Sequence, residues 1–405
     1  MYFSPKTSAD GLVFHYDTGN TVRSYLGEPT TNLAYAVNSY LNSNSNWWIN
    51  AGNATFNDND TSIQKPTIPN VDTSNLRIFS STVTGTGGNQ QLGSSIITVS
   101  SSTTYSFSIY YYFTGTTMQA QPYVRTAVNN DLLAYFGYNG DTNYLNWPRN
   151  KWILLKATVT TQANENGIYM SSYTGDTLGE KLAYFGYQVE QKSHCTPLVL
   201  GTRSATQGLK DLTAANTINL SNVSFDANAQ MTFDGSNDYI SLADGTKWFT
   251  NEWTYEMVLK FNGNTGTYQG LLWGEGDTGG GSGLQKLFTF YNYSYFHYRI
   301  NNAVTGWADT DFTPTGFTPT KYNHLVWQFN NGVTNLYING ALAHTNNVRG
   351  AYSGGTNSPL YIGCRNDVAY VFNGEMPMLK RYSRALTADE VARNYNAIKS
   401  RFNIA

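Results

Sequence analysis

Met231 Thr232 Phe233 Asp234 Gly235 Ser236 Asn237 Asp238 Tyr239 Ile240 is the first of three strand-and-turn cassettes that decide the fold. The second is His324 Leu325 Val326 Trp327 Gln328 Phe329, a turn at Asn330 Asn331 Gly332, then Leu336 Tyr337 Ile338 Asn339 Gly340. The third is Leu360 Tyr361 Ile362 Gly363, then Phe372 Asn373 Gly374 Glu375, then Leu379 Lys380 Arg381 Tyr382. Each couples a period-2 apolar run to a Gly-containing turn, the pattern of an antiparallel sheet with one buried face. Behind them, Leu386 Thr387 Ala388 Asp389 Glu390 reads as a capping box, followed by Val391, Tyr395, Ile398 and Phe402 at helical spacing. Stacked antiparallel layers closed by one amphipathic helix are expected.

Residues 30–200 form a second β-rich region. Tyr105 Ser106 Phe107 Ser108 Ile109 Tyr110 Tyr111 Tyr112 Phe113 is apolar at its odd positions and carries Tyr110 and Tyr112 among the even ones. Further strands are expected over 121–127, 132–138, 152–160 and 182–190, punctuated by Gly and Asn as in a β-sandwich. The hexapeptide Leu-Ala-Tyr-Phe-Gly-Tyr occurs at 133–138 and again at 182–187, which reads as two similar strands of one sandwich.

Composition narrows the function class. Of 405 residues, 13% are charged against roughly 25% in a typical soluble domain, while aromatics reach 15% with 31 Tyr. Solubility then rests on Asn, Thr, Ser and Gly. Such a surface suits glycan contacts, because Tyr offers a stacking face and a hydroxyl together. The net charge of -2 and the lack of clustered Lys and Arg argue against a nucleic-acid partner. No apolar run approaches the ~20 residues of a membrane span, and Met1 Tyr2 Phe3 Ser4 Pro5 Lys6 lacks the regions of a secretory signal. The protein reads as extracellular yet without an export address, which leaves a removed signal or release by another route. Cys195 and Cys364 are too few for a disulfide framework and are expected to be two buried thiols.

The strongest ligand candidate is Tyr291 Asn292 Tyr293 Ser294 Tyr295 Phe296 His297 Tyr298 Arg299 Ile300. Read as one strand, it places Tyr291, Tyr293, Tyr295, His297 and Arg299 on one face, with Phe290, Phe296, Tyr298 and Ile300 toward the core. Rings for sugar faces and donors for hydroxyls or acidic groups then lie in a row, and Trp307 follows shortly. A cross-strand tyrosine ladder that only stabilises the sheet is the alternative. Trp47, Trp48, Tyr110 and Tyr112 are secondary candidates in the 30–200 region. A retaining glycosidase needs two carboxylates about 5 Å apart, and the nearest pairs are Glu275 with Asp277 and Asp309 with Asp311. The first pair lies in a Gly-rich run that cannot hold it rigidly, so no enzyme is expected. Gly274 Glu275 Gly276 Asp277 Thr278 Gly279 matches G-x-G-x-x-G, but no helix follows to face a phosphate. His324 reads as a packed sheet residue. Asp58 Asn59 Asp60 Thr61 Ser62 resembles half a calcium loop but lacks its later Gly and Glu, so an Asn/Asp-rich turn is favoured.

The order of the three cassettes resembles the laminin G-like, concanavalin A-like jelly roll, a fold used far more for binding glycans than for chemistry. Tyr187 Gln188 Val189 Glu190 followed by 195–203, with Trp47 Trp48 and Trp152, is similar to the carbohydrate-binding-module-like sandwiches of bacteriophage structural proteins. Residues 11–28, including Gly11 Leu12 Val13 Phe14 His15 Tyr16 Asp17, resemble the opening strand of phage laminin G-like domains. In those domains such an opening leads within a few dozen residues to a Phe-Asp-Gly cassette, which here waits until Phe233. The resemblance thus implies that 1–29 joins a jelly roll of 201–405, with 30–200 inserted in one loop; two domains in simple series is the alternative. The acid triplet of the related glucanases is missing. Calcium is implied by the habit of such domains of binding it through acids and backbone carbonyls, with Asp277, Asp309 and Asp311 as candidates. The overall expectation is an all-β protein of two β-sandwich modules and one C-terminal helix. Its implied role is that of a virion structural protein, a tail fibre, head fibre or surface decoration. Its implied partners are other virion proteins, further copies of itself and host-surface polysaccharide. A purely architectural protein and a polysaccharide-degrading enzyme are the alternatives.

Overall fold

The computed structural model describes residues 7–36, 47–50, 53–85, 91–115, 121–173, 177–243, 248–274, 286–302, 306–347, 359–365 and 367–404, with backbone alone for 35–36, 47–50, 286–287, 301–302 and 306–309. The chain divides into two compact units, Met1–Glu28 with Ser204–Ala405, and Pro29–Arg203. Both are built of antiparallel β-sheet, as the alternating sequence requires.

The first unit stacks two sheets. One has eight strands, in the order Ser224–Phe225, Met231–Asp234, Asn373–Tyr382, Glu252–Phe261, Asn323–Asn330, Val333–Ile338 and Ala341–Asn347, with Leu12–Asp17 also pairing along Asn373–Tyr382. The other has seven: Ile218–Ser221, Tyr239–Leu242, Leu360–Ile362, Tyr268–Gly274, Lys286–Tyr291, Tyr295–Asn302 and Gly306–Phe312. The Met231–Ile240 cassette crosses between them, its first strand lying in one sheet and its second in the other. At Asn331–Gly332 both residues have positive φ, which matches the type I′ turn that an Asn-Gly pair permits between twisted strands.

Alternate residues of both sheets meet in one core. Trp327 stacks on Phe288 with ring centroids 5.0 Å apart, and Phe261 lies 4.9 Å from Phe290. Phe290, Phe296, Tyr298 and Ile300 are buried, the face the alternation assigns to the core. On the opposite face of the eight-stranded sheet lies the helix Ala388–Ile398, burying Val391 and Ile398. Its capping box is formed: the Glu390 amide donates to Thr387 Oγ1 at 3.2 Å, and the Thr387 amide donates to Glu390 Oε2 at 2.9 Å.

A buried polar cluster sits under that helix. Glu256 is fully buried; its Oε1 lies 3.1 Å from Lys380 Nζ and 3.3 Å from Nε2 of the packed His324. Its Oε2 accepts from Asn394 Nδ2 at 2.7 Å and from the Tyr382 hydroxyl at 3.2 Å. Burial opposes ionisation of this carboxyl, but Lys380 and His324 outweigh it and hold the group well below the usual carboxylate range.

The second unit is a sandwich of two six-stranded sheets. One comprises Leu132–Tyr135, Tyr123–Thr126, Gly167–Tyr173, Gln91–Ser94 and Trp47–Asn50, with Ile97–Thr98 pairing Gly167–Tyr173. The other runs Gly137–Tyr138, Ile153–Thr160, Thr104–Phe113, Lys181–Glu190, Phe79–Val83 and Ala54–Asn57. Tyr105, Phe107, Ile109, Tyr111 and Phe113 all point into the core. Thr30–Thr31 pairs with Thr202–Arg203, so the chain enters and leaves this unit on neighbouring strands. The two hexapeptide copies do not form equivalent strands. The first breaks at the buried Phe136, passing from one sheet to the other, whereas the second lies within the unbroken strand Lys181–Glu190.

Both cysteines are free, but only Cys364 is buried; Cys195 is half-buried because it sits on the segment after Lys181–Glu190, where its thiol donates to the Phe107 carbonyl at 3.0 Å. Among the described residues no helix is long and apolar enough to cross a membrane.

Candidate functional site

The stretch 291–300 is a hairpin, not one strand. Tyr291 ends the strand Lys286–Tyr291; Asn292 and Tyr293 take φ of 44° and 56°; the Ser294 amide donates to the Tyr291 carbonyl at 2.8 Å; and Tyr295 opens the next strand. Alternation continues through the turn, which is why the break is silent in the pattern. The consequence for the expected row is specific. Tyr293 turns toward the core edge, with its ring 6.0 Å from Phe261 and 6.1 Å from Phe290, and so leaves the face assigned to it. Tyr291 and Tyr295 become cross-strand partners instead, their rings stacked at 5.0 Å.

Around that pair the seven-stranded sheet gathers rings from three other places. Tyr268, at the start of Tyr268–Gly274, lies 4.7 Å from Tyr291, 5.3 Å from the imidazole of His297 and 5.3 Å from Tyr370. Its hydroxyl is 3.4 Å from that of Tyr295. That hydrogen bond, together with burial, pushes the Tyr268 phenol up, so it remains a neutral donor or acceptor at any physiological pH. Tyr370 is carried on the loop before Asn373–Tyr382 with φ of 53°, and the Arg365 guanidinium sits 4.7 Å from its ring centre. Asp367 clamps Arg365 through two oxygens, one of them 2.6 Å from Nε.

Gly270 lets this loop approach. Its amide donates to the Tyr370 carbonyl, and a Cβ at this position would lie 2.8 Å from that oxygen and 3.1 Å from the Cys364 backbone. His297 completes the edge, with Nδ1 2.7 Å from Asp311 Oδ1. Arg299 pairs in register with Asp309. The result is a contiguous patch of half-buried rings, Tyr268, Tyr291, Tyr295 and Tyr370, bordered by an imidazole, a guanidinium and two carboxylates. Such a surface can stack on the apolar face of a pyranose while its rim bonds to hydroxyls.

Tyr268, Tyr370 and Arg365 were not among the sequence candidates. Tyr268 had a weak signal, standing just before the apolar run Leu271 Leu272 Trp273; Tyr370 had none, because nothing in the sequence announces a tyrosine with positive φ.

Other candidates are distributed differently. Tyr110 and Tyr112 rest against the core of the second unit, Tyr112 with its ring 5.5 Å from Trp152. Trp47 and Trp48 pair in register with Ser94 and Gly93, but their side chains lie outside the described residues, as do those of Trp307 and Asp309. A further aromatic face on this unit was also not anticipated. Tyr123 lies 6.4 Å from the exposed Tyr135 and 6.1 Å from Tyr173, with the Arg125 guanidinium 4.9 Å from its ring centre.

Among the described residues the acids form no cation cage. Glu275 and Asp277 lie outside the described residues, and Asp311 is engaged by His297. Among the described residues no group of three or more His, Cys, Asp or Glu side chains converges. In the 58–62 turn the cation is a lysine: Asp60 accepts from Lys181 Nζ at 2.8 Å, from the Ser62 amide at 2.8 Å and from the Ser80 hydroxyl at 2.7 Å. Asp58 lies 3.2 Å from Arg77.

Residues 234–392 match the family described as the concanavalin A-like lectin/glucanases superfamily. No curated protein matches the chain. Among solved structures, the ligand binding domain of botulinum neurotoxin serotype D in complex with N-acetylneuraminic acid is similar at 12% identity and a TM-score of 0.38, covering 48% of this chain and 49% of that one. The receptor binding domain of the botulinum neurotoxin C/D mosaic serotype is similar at 11% identity and a TM-score of 0.37, covering 47% and 48%. Domain 4 of an extracellular arabinanase from Geobacillus stearothermophilus, in complex with arabinotriose, is similar at 17% identity and a TM-score of 0.36, covering 47% of this chain and 93% of that one. The chain spans about half the length of the toxin domains it matches. Two facing antiparallel sheets and the match over 234–392 together place a concanavalin A-like jelly-roll domain within the first unit.

Proposed function

We propose that this protein binds glycans without chemical turnover, as a structural component of a bacteriophage particle that touches host-surface polysaccharide. The observation that carries the binding role is the tyrosine patch, Tyr268 with Tyr291, Tyr295, His297 and Tyr370 within 5.3 Å of one another along successive ring contacts. Rings held this way lose little conformational freedom on binding, which is what a weak, shallow sugar site needs. The phage role rests on the resemblance of residues 11–28 and 187–203 to phage structural proteins. On this reading the chain is a jelly roll of 1–29 and 201–405 interrupted by a carbohydrate-binding-module-like sandwich of 30–200. Adjacent ends make such an insertion cheap in closure entropy. Many copies on a particle would convert weak sites into avidity. A glycan array probed with the intact protein tests the binding role: retention on a defined class of surface polysaccharides is expected. Failure to retain any glycan would leave an architectural protein and end the proposal, and shortening of the bound oligosaccharides would mark an enzyme.

A further inference from the structure

A second, chemically different groove lies elsewhere on the first unit. It is a cavity of about 730 Å³, within the ~300–1,000 Å³ typical of small-ligand clefts. Its wall is formed by the end of Glu252–Phe261, the segment leading into Asn323–Asn330, the Asn339 turn and the chain after the terminal helix. Three cations line it, Lys260, Lys321 and Arg401, and no carboxylate does, in a chain whose net charge is -2.

Two of these cations already have partners. Lys260 Nζ lies 2.6 Å from Glu375, and Arg401 grips Asp17 with contacts of 2.6 and 2.5 Å. Lys321 differs, since its side chain is exposed and no partner for its ammonium is found among the described residues. Beside the cations stand two rings: Tyr322 and Phe402 have centroids 5.5 Å apart, with Lys260 5.3 Å from the first ring and Arg401 4.5 Å from the second. Asn339 adds an amide to the lining.

We infer that this groove binds an anionic sugar residue, its ring face on Tyr322 and Phe402 and its carboxylate or sulfate on Lys321. An ammonium without a partner among the described residues, in the same groove as two fixed rings, favours that chemistry over a neutral sugar, because a charge-assisted hydrogen bond is about twice as strong as a neutral one. The inference goes beyond the tyrosine patch and stands on different residues, so either can fail alone.

Calorimetric titration of the intact protein tests it, using a uronate oligosaccharide, its carboxyl-reduced neutral counterpart and a sulfated oligosaccharide. Binding of one or both anionic ligands is expected, with the preferred one naming the acid. Lys321→Ala should weaken that binding by about tenfold. Lys321→Glu should abolish it, and raised salt should weaken it in the wild type. Binding that is lost in Tyr268→Ala but kept in Lys321→Ala would place the ligand on the tyrosine patch and overturn the inference. Equal binding of the neutral counterpart, or unaltered affinity in Lys321→Ala and Lys321→Glu, overturns the inference; Lys321 is exposed, so both variants are expected to fold.

Discussion

Replacing Lys380 by Met should strand a carboxylate in the interior of the first unit. Glu256 has no access to water, and Lys380 Nζ at 3.1 Å is its closest cation. With the ammonium gone, the hydrogen bonds from Asn394 and Tyr382 and the His324 imidazole 3.3 Å away remain, but without Lys380 they are too few to solvate a charge in a medium of low dielectric. Breaking such a pair from one side costs about 3–5 kcal/mol. For a unit of this size that corresponds to a drop of about 6–20 °C in melting temperature, at roughly 2–4 °C per kcal/mol. The pH dependence has a definite sign. In the wild type the folded carboxyl titrates below its ordinary 4.5, so the pair's contribution is complete above that value and is lost as the pH falls below it. In Lys380→Met burial pushes the carboxyl up, so the deficit against wild type should shrink between pH 7 and about pH 4 as Glu256 takes up a proton. Differential scanning calorimetry of the intact chain reads both effects. Adding Glu256→Gln to Lys380→Met should restore much of the loss, because no charge is then left without a partner. A melting temperature for Lys380→Met close to wild type, or a double variant no better than the single one, would refute the reasoning.

Three further expectations concern separate features. Gly270→Ala should cost about 1–3 kcal/mol through the clash of its Cβ with the Tyr370 carbonyl, and should weaken any glycan bound at the tyrosine patch; an unshifted melt would show that the loop is not pinned there. Thr387→Ala removes one half of the capping box and should cost about 1 kcal/mol in urea unfolding, whereas an unchanged midpoint would count against the cap. Burial pushes the Cys195 thiol up to about 11 and that of Cys364 up to about 12, so a disulfide-exchange reagent at pH 8 should label neither quickly until denaturant is added; rapid labelling of the folded chain would contradict that.

What the sequence made legible was local. The alternation in Tyr105–Phe113 and His324–Phe329 put the correct residues in the core, and Thr387 with Glu390 marked the helix start, because each depends on neighbours a few positions away. The candidate site was legible only in pieces. Tyr291, Tyr295 and His297 were visible as rings on one strand-like pattern, but the pattern runs on through a turn built from Asn292 and Tyr293 at positive φ, a conformation that tyrosine seldom adopts. Tyr268 and Tyr370 reach the patch from 23 and 79 residues away from Tyr291, counting 291 minus 268 and 370 minus 291; strand pairing brings the first there, and the contact of its loop with the Gly270 amide brings the second. Glu256 and Lys380 were equally silent, since an isolated charge in an apolar strand shows nothing of the partner across the sheet.

The tyrosine patch is tested most directly by calorimetric titration of the strongest array glycan into wild type, Tyr268→Ala and Tyr291→Ala. Loss of one ring contact worth roughly 1 kcal/mol should lower the affinity of each variant at least about fivefold, with the fold intact. Affinities equal to wild type in both variants would contradict the assignment of sugar binding to these rings.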